Sequence, residues 1–213
     1  MIPLLLSLTA ILAYFLGGTY LPEICCRAFL KQELRAYGRG QKGFEALLRE
    51  TGWKGAAEVF LPEALKIGLV VLIGGWLLGI KGYPVIGRMF ALFCLTMGAV
   101  YPALRGFSGG RGIMEVCVGM MFVDPKAGFV TLAVFAIALA ASKYLSLGGI
   151  CAGAGAVLGT WVFIEDKLCM LMSALCAAII LLRHIGNIGR MIKHTEPKIS
   201  TKKDLSYKFD EDF

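Results

Sequence analysis

Gly112-Ile113-Met114-Glu115-Val116-Cys117-Val118-Gly119-Met120-Met121-Phe122-Val123-Asp124 is the stretch on which the fold turns. It is apolar but short, since at about 1.5 Å per helical residue it falls well under the roughly 30 Å of a bilayer's hydrocarbon. Longer apolar runs surround it, at 2–22, 56–80, 85–104, 127–142, 146–164 and 167–184, and each reads as a membrane crossing. If 112–124 re-enters instead of crossing, every later segment changes sides. The basic residues decide, because cytoplasmic loops collect Lys and Arg. With seven crossings and the N-terminus outside, 17 of the 22 Lys and Arg lie inside and four outside, with Lys66 within a span. With six crossings the split is 11 against 10, which is no asymmetry at all. The expected architecture is therefore an all-α membrane protein of seven transmembrane helices, N-terminus outside and C-terminus cytoplasmic. A single polytopic domain is expected over 1–192, followed by a flexible cytoplasmic tail over 193–213 whose mixed charges bury little.

Composition agrees with that reading. The chain of 213 residues is 57% hydrophobic and only 17% charged, against about a quarter charged in soluble domains. No length remains for a soluble catalytic domain, so chemistry must sit in loops and at helix ends. The apolar run Ile2 to Leu16 has no basic residue before it and no small-residue cleavage pattern before Glu23, and reads as a retained first span. Seven cysteines, mostly isolated in apolar runs and without a C-x-x-C pair or a nearby His cluster, argue against a disulfide framework and a zinc site. The net charge of +7 follows from topology and attraction to anionic lipid, and no nucleic-acid partner is expected.

Four segments, 23–55, 105–112, 143–149 and 183–193, meet on the expected inner side. Arg105-Gly106-Phe107-Ser108-Gly109-Gly110-Arg111-Gly112 leaves the third span and opens the fourth. Its glycines free the backbone to line an anion at a helix N-terminus, and Arg111 adds a guanidinium fork suited to phosphate. Tyr101-Pro102 gives this loop a rigid exit from the span. In the first loop, Gly38, Gly40 and Gly43 alternate with Arg39 and Lys42, and Arg49 follows; an anion cradle and a solvated basic loop fit this pattern equally. At the inner end of the last span, Arg183 and His184 precede Asn187 and Arg190, whose spacing places His184 and Asn187 on one helical face. By contrast, the glycines at 148, 149, 153, 155 and 159 read as close helix packing. Glu63 and Lys66 read as a pair that neutralises itself within a span.

These residues resemble a family. The chain is similar to the bacterial integral-membrane acyl-phosphate:glycerol-3-phosphate acyltransferases, seven-span proteins with short cytoplasmic motifs. Their first motif, D-L-R-x-x-G-S-G-N-x-G-A-T-N-x-x-R, is followed without a gap by Glu33-Leu34-Arg35 through Gly38, Gly40 and Gly43 to Arg49. Their second, G-H-x-Y-P-x-F-x-x-F-K-G-G-K-G-V-A-T, is matched by Gly98, Tyr101, Pro102, Phe107, Gly109, Gly110, Arg111 and Gly112. A K-Y-x-S-L segment reappears as Lys143-Tyr144-Leu145-Ser146-Leu147, and a closing R-H-x-x-N-I-x-R as Arg183, His184, Asn187, Ile188 and Arg190.

The resemblance implies transfer of a fatty acyl group from acyl phosphate to glycerol 3-phosphate, giving lysophosphatidic acid for phospholipid synthesis. It implies no cofactor and no metal, membrane lipids and other phospholipid-synthesis proteins as neighbours, and the bacterial cell membrane as location. His184, Asn187 and Arg111 take the catalytic roles. Arg49, Gly38, Gly40, Gly43, Arg39, Gly109, Gly110, Gly112, Tyr101, Ser146 and Arg183 take the substrate-binding ones.

The chain also departs from the pattern. Arg39 replaces a Ser, Gln41 an Asn, Phe44-Glu45-Ala46 an Ala-Thr-Asn, Ala99 a His, Arg111 a Lys, and Met114-Glu115 an Ala-Thr. These changes define a second reading, a catalytically impaired relative that binds acyl phosphate or lipid head groups, or acylates a different acceptor. A transporter is disfavoured because intramembrane charge is confined to Glu63 and Lys66 and no inverted repeat is visible.

Overall fold

The structure, a computed structural model, describes residues 1–26, 28 and 41–198, and of residues 41–51 and 53 the backbone alone. The described chain is helical throughout, in the order α1 (Ile2–Gly18), α2 (Leu21–Cys25), α3 (Gln41–Gly79), α4 (Pro84–Val100), a 3-10 turn (Ala103–Arg105), α5 (Ile113–Val123), α6 (Pro125–Ser142), α7 (Leu145–Phe163), α8 (Lys167–Arg183) and α9 (Ile185–Ile192). Proline stands in the first turn of α1, α4 and α6, where its missing N–H costs nothing. Asp124 and Asp166 cap α6 and α8 through side-chain oxygens.

Among the described residues, Ile2–Cys25, Pro84–Arg105, Pro125–Ser142 and Leu145–Phe163 are long and apolar enough to cross a membrane, and the pair α8 and α9, bent by 54°, makes up to five. The expected segments recur as helices within a few residues, with one extension, although fewer than the seven expected qualify as crossings by length and composition. The second reaches back to Gln41, through a break at Gly52 where φ is 70°. Gly43, expected in a loop, lies inside this helix.

The short fourth segment forms α5, eleven residues long. It need not reach across hydrocarbon alone because it is enclosed by protein: Glu115, Val116, Cys117, Gly119, Met120 and Val123 are all buried. Its C-terminal end is met by Arg88 of α4, whose guanidinium donates to the Val123 carbonyl at 3.3 Å. By contrast, α6 leaves Phe129 and Ile137 exposed.

Because lipid tails are as apolar as leucine, helices here associate through close packing rather than the hydrophobic effect. The stripe on α7 does this in two directions. A Cβ at Gly159 would stand 2.7 Å from the Ala127 carbonyl of α6, and one at Gly153 would stand 3.1 Å from Ala177 of α8. Likewise α1 and α4 cross at backbone contact, where a Cβ at Gly98 would lie 2.0 Å from the Tyr14 carbonyl. That crossing lets the Tyr14 hydroxyl donate to the Tyr101 carbonyl at 2.6 Å and accept from the Ala103 N–H at 3.1 Å, tying α1 to the root of the glycine loop.

Candidate functional site

The glycine loop is shaped by contacts that other residues could not make. The Gly110 N–H donates to the Ala99 carbonyl at 2.9 Å. A Cβ at Gly109 would stand 2.1 Å from that same oxygen, so residue 109 must be glycine for the loop to lie against the end of α4. Gly112 enters α5 with φ at 78°, in the left-handed region that glycine adopts at little cost. The loop meets residue 99 at its main-chain oxygen, which does not depend on the side chain there.

Arg183, the last residue of α8, reaches over this loop. Its Nη2 donates to the Gly109 carbonyl at 2.9 Å and its Nε to the Gly110 carbonyl at 3.2 Å, while its guanidinium lies 5.5 Å from the centre of the Tyr101 ring. The next residue, His184, sits at the bend between α8 and α9 and is fully buried. Its Nδ1 lies 2.7 Å from the Ile180 carbonyl oxygen. An oxygen that only accepts requires a proton on Nδ1, so in the neutral ring Nε2 carries the lone pair. That atom is buried and has no hydrogen-bond partner among the described residues. It faces Gly149 of α7, where an added Cβ would lie 3.6 Å away. The charges of Arg111, Arg183 and Glu196 all act on this ring.

One helical turn further on, Asn187 donates through Nδ2 to the Ser146 hydroxyl at 2.7 Å and to Glu196 at 2.6 Å. Glu196 also accepts from Ser146 and from Arg190, the latter at 2.8 Å. Burial alone would push the Glu196 carboxyl up, but the hydrogen bonds from Ser146, Asn187 and Arg190 outweigh it and hold the carboxyl below the usual carboxylate range. The tail expected from residue 193 onward therefore begins with a docked stretch: Glu196 is 5% exposed, and Lys198 lies 5.6 Å from the Tyr144 ring. Residues 199–213 lie outside the described residues.

Of the residues singled out from sequence, Tyr101, Gly109, Gly110, Gly112, Arg111, Ser146, Arg183, His184 and Asn187 gather around one end of the helices. Gly38, Arg39 and Gly40 lie outside the described residues, as does the Arg49 side chain. Sequence reasoning missed Glu196 and Tyr14. Neither stands in a pattern: Glu196 is one acid in an aperiodic tail, and Tyr14 one aromatic in an apolar run.

Glu115, which replaces a threonine in the second motif, does not join this group. It lies two residues beyond Ile113, which packs against the Gly149 position, and two helical steps rotate it by about 200° to the other side of α5. Its charged neighbours are Glu63 and Lys66. There Lys66 donates to Glu63 at 2.7 Å and to the Thr19 carbonyl at 2.6 Å, and Glu63 accepts from the Leu21 N–H at 3.1 Å.

A family model described as glycerol-3-phosphate acyltransferase matches residues 7–194. The chain belongs to the glycerol-3-phosphate acyltransferase family. The relative from Thermoanaerobacter pseudethanolicus, a glycerol-3-phosphate acyltransferase, is 33% identical over 198 residues, covering 93% of this chain and 98% of its own. Two crystal structures of PlsY, an integral membrane glycerol 3-phosphate acyltransferase, superpose on the chain. The glycerol 3-phosphate form gives a TM-score of 0.77 at 25% identity, covering 92% of this chain and 96% of that one. The lysophosphatidic acid form gives 0.76 at the same identity and coverage. The family's second and closing motifs thus meet in this member at the group around His184.

Proposed function

We propose that this chain is a membrane glycerol-3-phosphate acyltransferase that takes its acyl group from acyl phosphate. The observation that carries the reading beyond family membership is the buried Nε2 of His184, which faces Gly149 and has no partner among the described residues, a hydrogen-bond acceptor that a hydroxyl could meet. Acyl phosphate is a mixed anhydride, so no enzyme nucleophile is required. The acceptor hydroxyl donates its hydrogen to His184 Nε2 as its oxygen attacks the acyl carbon. A new ester C–O bond forms, the bond to the phosphate oxygen breaks, inorganic phosphate leaves with that electron pair, and the proton passes from the imidazole to the phosphate. Arg111, with Arg49 of α3, balances the two phosphates. Gly109, Gly110 and Gly112 shape the loop beside Tyr101, and Gly38, Arg39, Gly40 and Gly43 take substrate-binding roles, as the family resemblance implies. Asn187 and Ser146 hold the start of α9, and with it the bend at which His184 sits. We place these groups on the cytoplasmic face of the bacterial plasma membrane, in a seven-crossing topology with the N-terminus outside.

The test is acyl transfer by the purified protein in lipid, with acyl phosphate and glycerol 3-phosphate supplied together. Lysophosphatidic acid should form and should disappear in Arg111→Ala and His184→Ala. Absence of product in the unaltered protein, while acyl phosphate still binds, would sink the reading.

A further inference from the structure

Family resemblance treats Arg183 as a substrate contact, yet its geometry is directed at the protein. Two of its donors end on two successive main-chain carbonyls, Gly109 at 2.9 Å and Gly110 at 3.2 Å, and its plane is backed by the Tyr101 ring at 5.5 Å. The peptide between Gly109 and Gly110 is thereby held from both sides, since its carbonyl meets Arg183 while its N–H meets the Ala99 carbonyl at 2.9 Å. Glycine lacks the side chain that would restrain such a loop, so a restraint must come from elsewhere. Carbonyl oxygens carry partial negative charge and repel phosphate, and a guanidinium that draws two of them to itself turns that charge away from where an anion must lie. Arginine suits this task and lysine does not, because only the planar fork reaches two oxygens in fixed geometry.

We propose that Arg183 is a positioning residue that clamps the glycine loop in its working shape, and not a contact to substrate phosphate. The proposal rests on the acyl transfer argued above, and deepens it by dividing the arginines of the site into those that meet anions and one that sets the loop. A loop displaced by about 1 Å loses turnover on the order of 10²-fold, with modest change in affinity.

The experiment compares the unaltered protein with Arg183→Lys and Arg183→Gln in lipid, by kinetics and by hydrogen exchange of residues 106–112 without substrate. Both variants should lose roughly tenfold to 10²-fold in kcat while KM for glycerol 3-phosphate and for acyl phosphate moves by less than about threefold. Exchange in 106–112 should quicken by at least about tenfold in both, with α8 unchanged. Tyr101→Leu should give a smaller effect in the same direction. If Arg183→Lys keeps its kcat and raises KM, the residue is a phosphate contact and the proposal falls; unchanged exchange in Arg183→Gln also overturns it. Should Arg183→Gln fail to fold, Arg183→Lys carries both readings. If the unaltered protein transfers no acyl group, the functional reading fails, while the exchange comparison still decides whether Arg183 clamps the loop.

Discussion

Around Glu63 the buried polar groups close on one another, whereas around His184 they leave one atom unmatched. Both clusters lie within apolar surroundings, and both include groups that cost free energy to remove from water. At the first, Lys66 meets Glu63 and the Thr19 carbonyl, and Glu63 meets the Leu21 N–H, so the cluster joins α1 and α2 to α3 and needs nothing from outside. At the second, Ser146, Asn187, Arg190 and Glu196 satisfy one another, yet His184 Nε2 has no partner among the described residues. The difference teaches that charge inside a membrane protein does not by itself mark a site. An unsatisfied polar atom among motif residues is the sharper sign, since Arg88 Nε is also buried without a partner among the described residues and stands in no motif.

The comparison breaks first at His184. If its Nε2 serves the acceptor hydroxyl, His184→Ala should lower kcat by about 10²–10⁴-fold with the fold intact, as judged by an unchanged elution profile and thermal transition. A loss of folding in place of a loss of turnover would make the second cluster as structural as the first.

The next effect belongs to the closed cluster. Lys66→Met leaves the Glu63 carboxylate buried without its cation, and should destabilise the protein by roughly 3–5 kcal/mol in detergent unfolding. Lys66→Met combined with Glu63→Leu should recover most of that loss, since apolar residues of similar volume replace buried ion pairs well. Failure of the double variant to recover would give the pair a role beyond holding α1 and α2 on α3.

A smaller, pH-dependent effect tests the docked tail. The Glu196 carboxyl is held below its ordinary range, so its contribution is present above that range and is lost as pH falls through the lowered value. Hydrogen exchange of residues 190–198, corrected for the intrinsic rate and followed as pH is lowered until the carboxyl is protonated, should be several-fold faster at the acid end than at neutral pH. Glu196→Gln should exchange faster at both and lose the dependence. A tail that exchanges equally at both pH values in the unaltered protein would show that the carboxylate does not hold it.

Much of this was legible in the chain because membrane crossings are long apolar runs with sharp polar ends. The expected 146–164 and 167–184 recur as Leu145–Phe163 and Lys167–Arg183 for that reason. The motif residues were legible because Gly109 and Gly112 meet constraints that only glycine satisfies. The break at Gly52 was not, since one glycine among polar residues reads equally as a loop. Nor was the clamp on the glycine loop: an arginine donating to main-chain carbonyls leaves no trace in any side-chain pattern. Docking of Glu196 depends on a return of the chain that periodicity cannot express.

The smallest expected effect is the one that sequence alignment makes look largest. Glu115 stands in the second motif where the family has threonine, and a carboxylate beside an anion site should oppose substrate strongly. Its side chain, however, turns to the face of α5 opposite the one Ile113 packs toward Gly149, and it is 8% exposed beside Glu63 and Lys66. It therefore belongs to the closed cluster, not to the group around His184. Glu115→Gln keeps the size and removes the charge. KM for glycerol 3-phosphate should then stay within about twofold, because a charge change on the far face of the helix reaches the site only weakly. A fall in KM of tenfold or more would mean that Glu115 does face the substrate, and the separation of the two clusters would collapse.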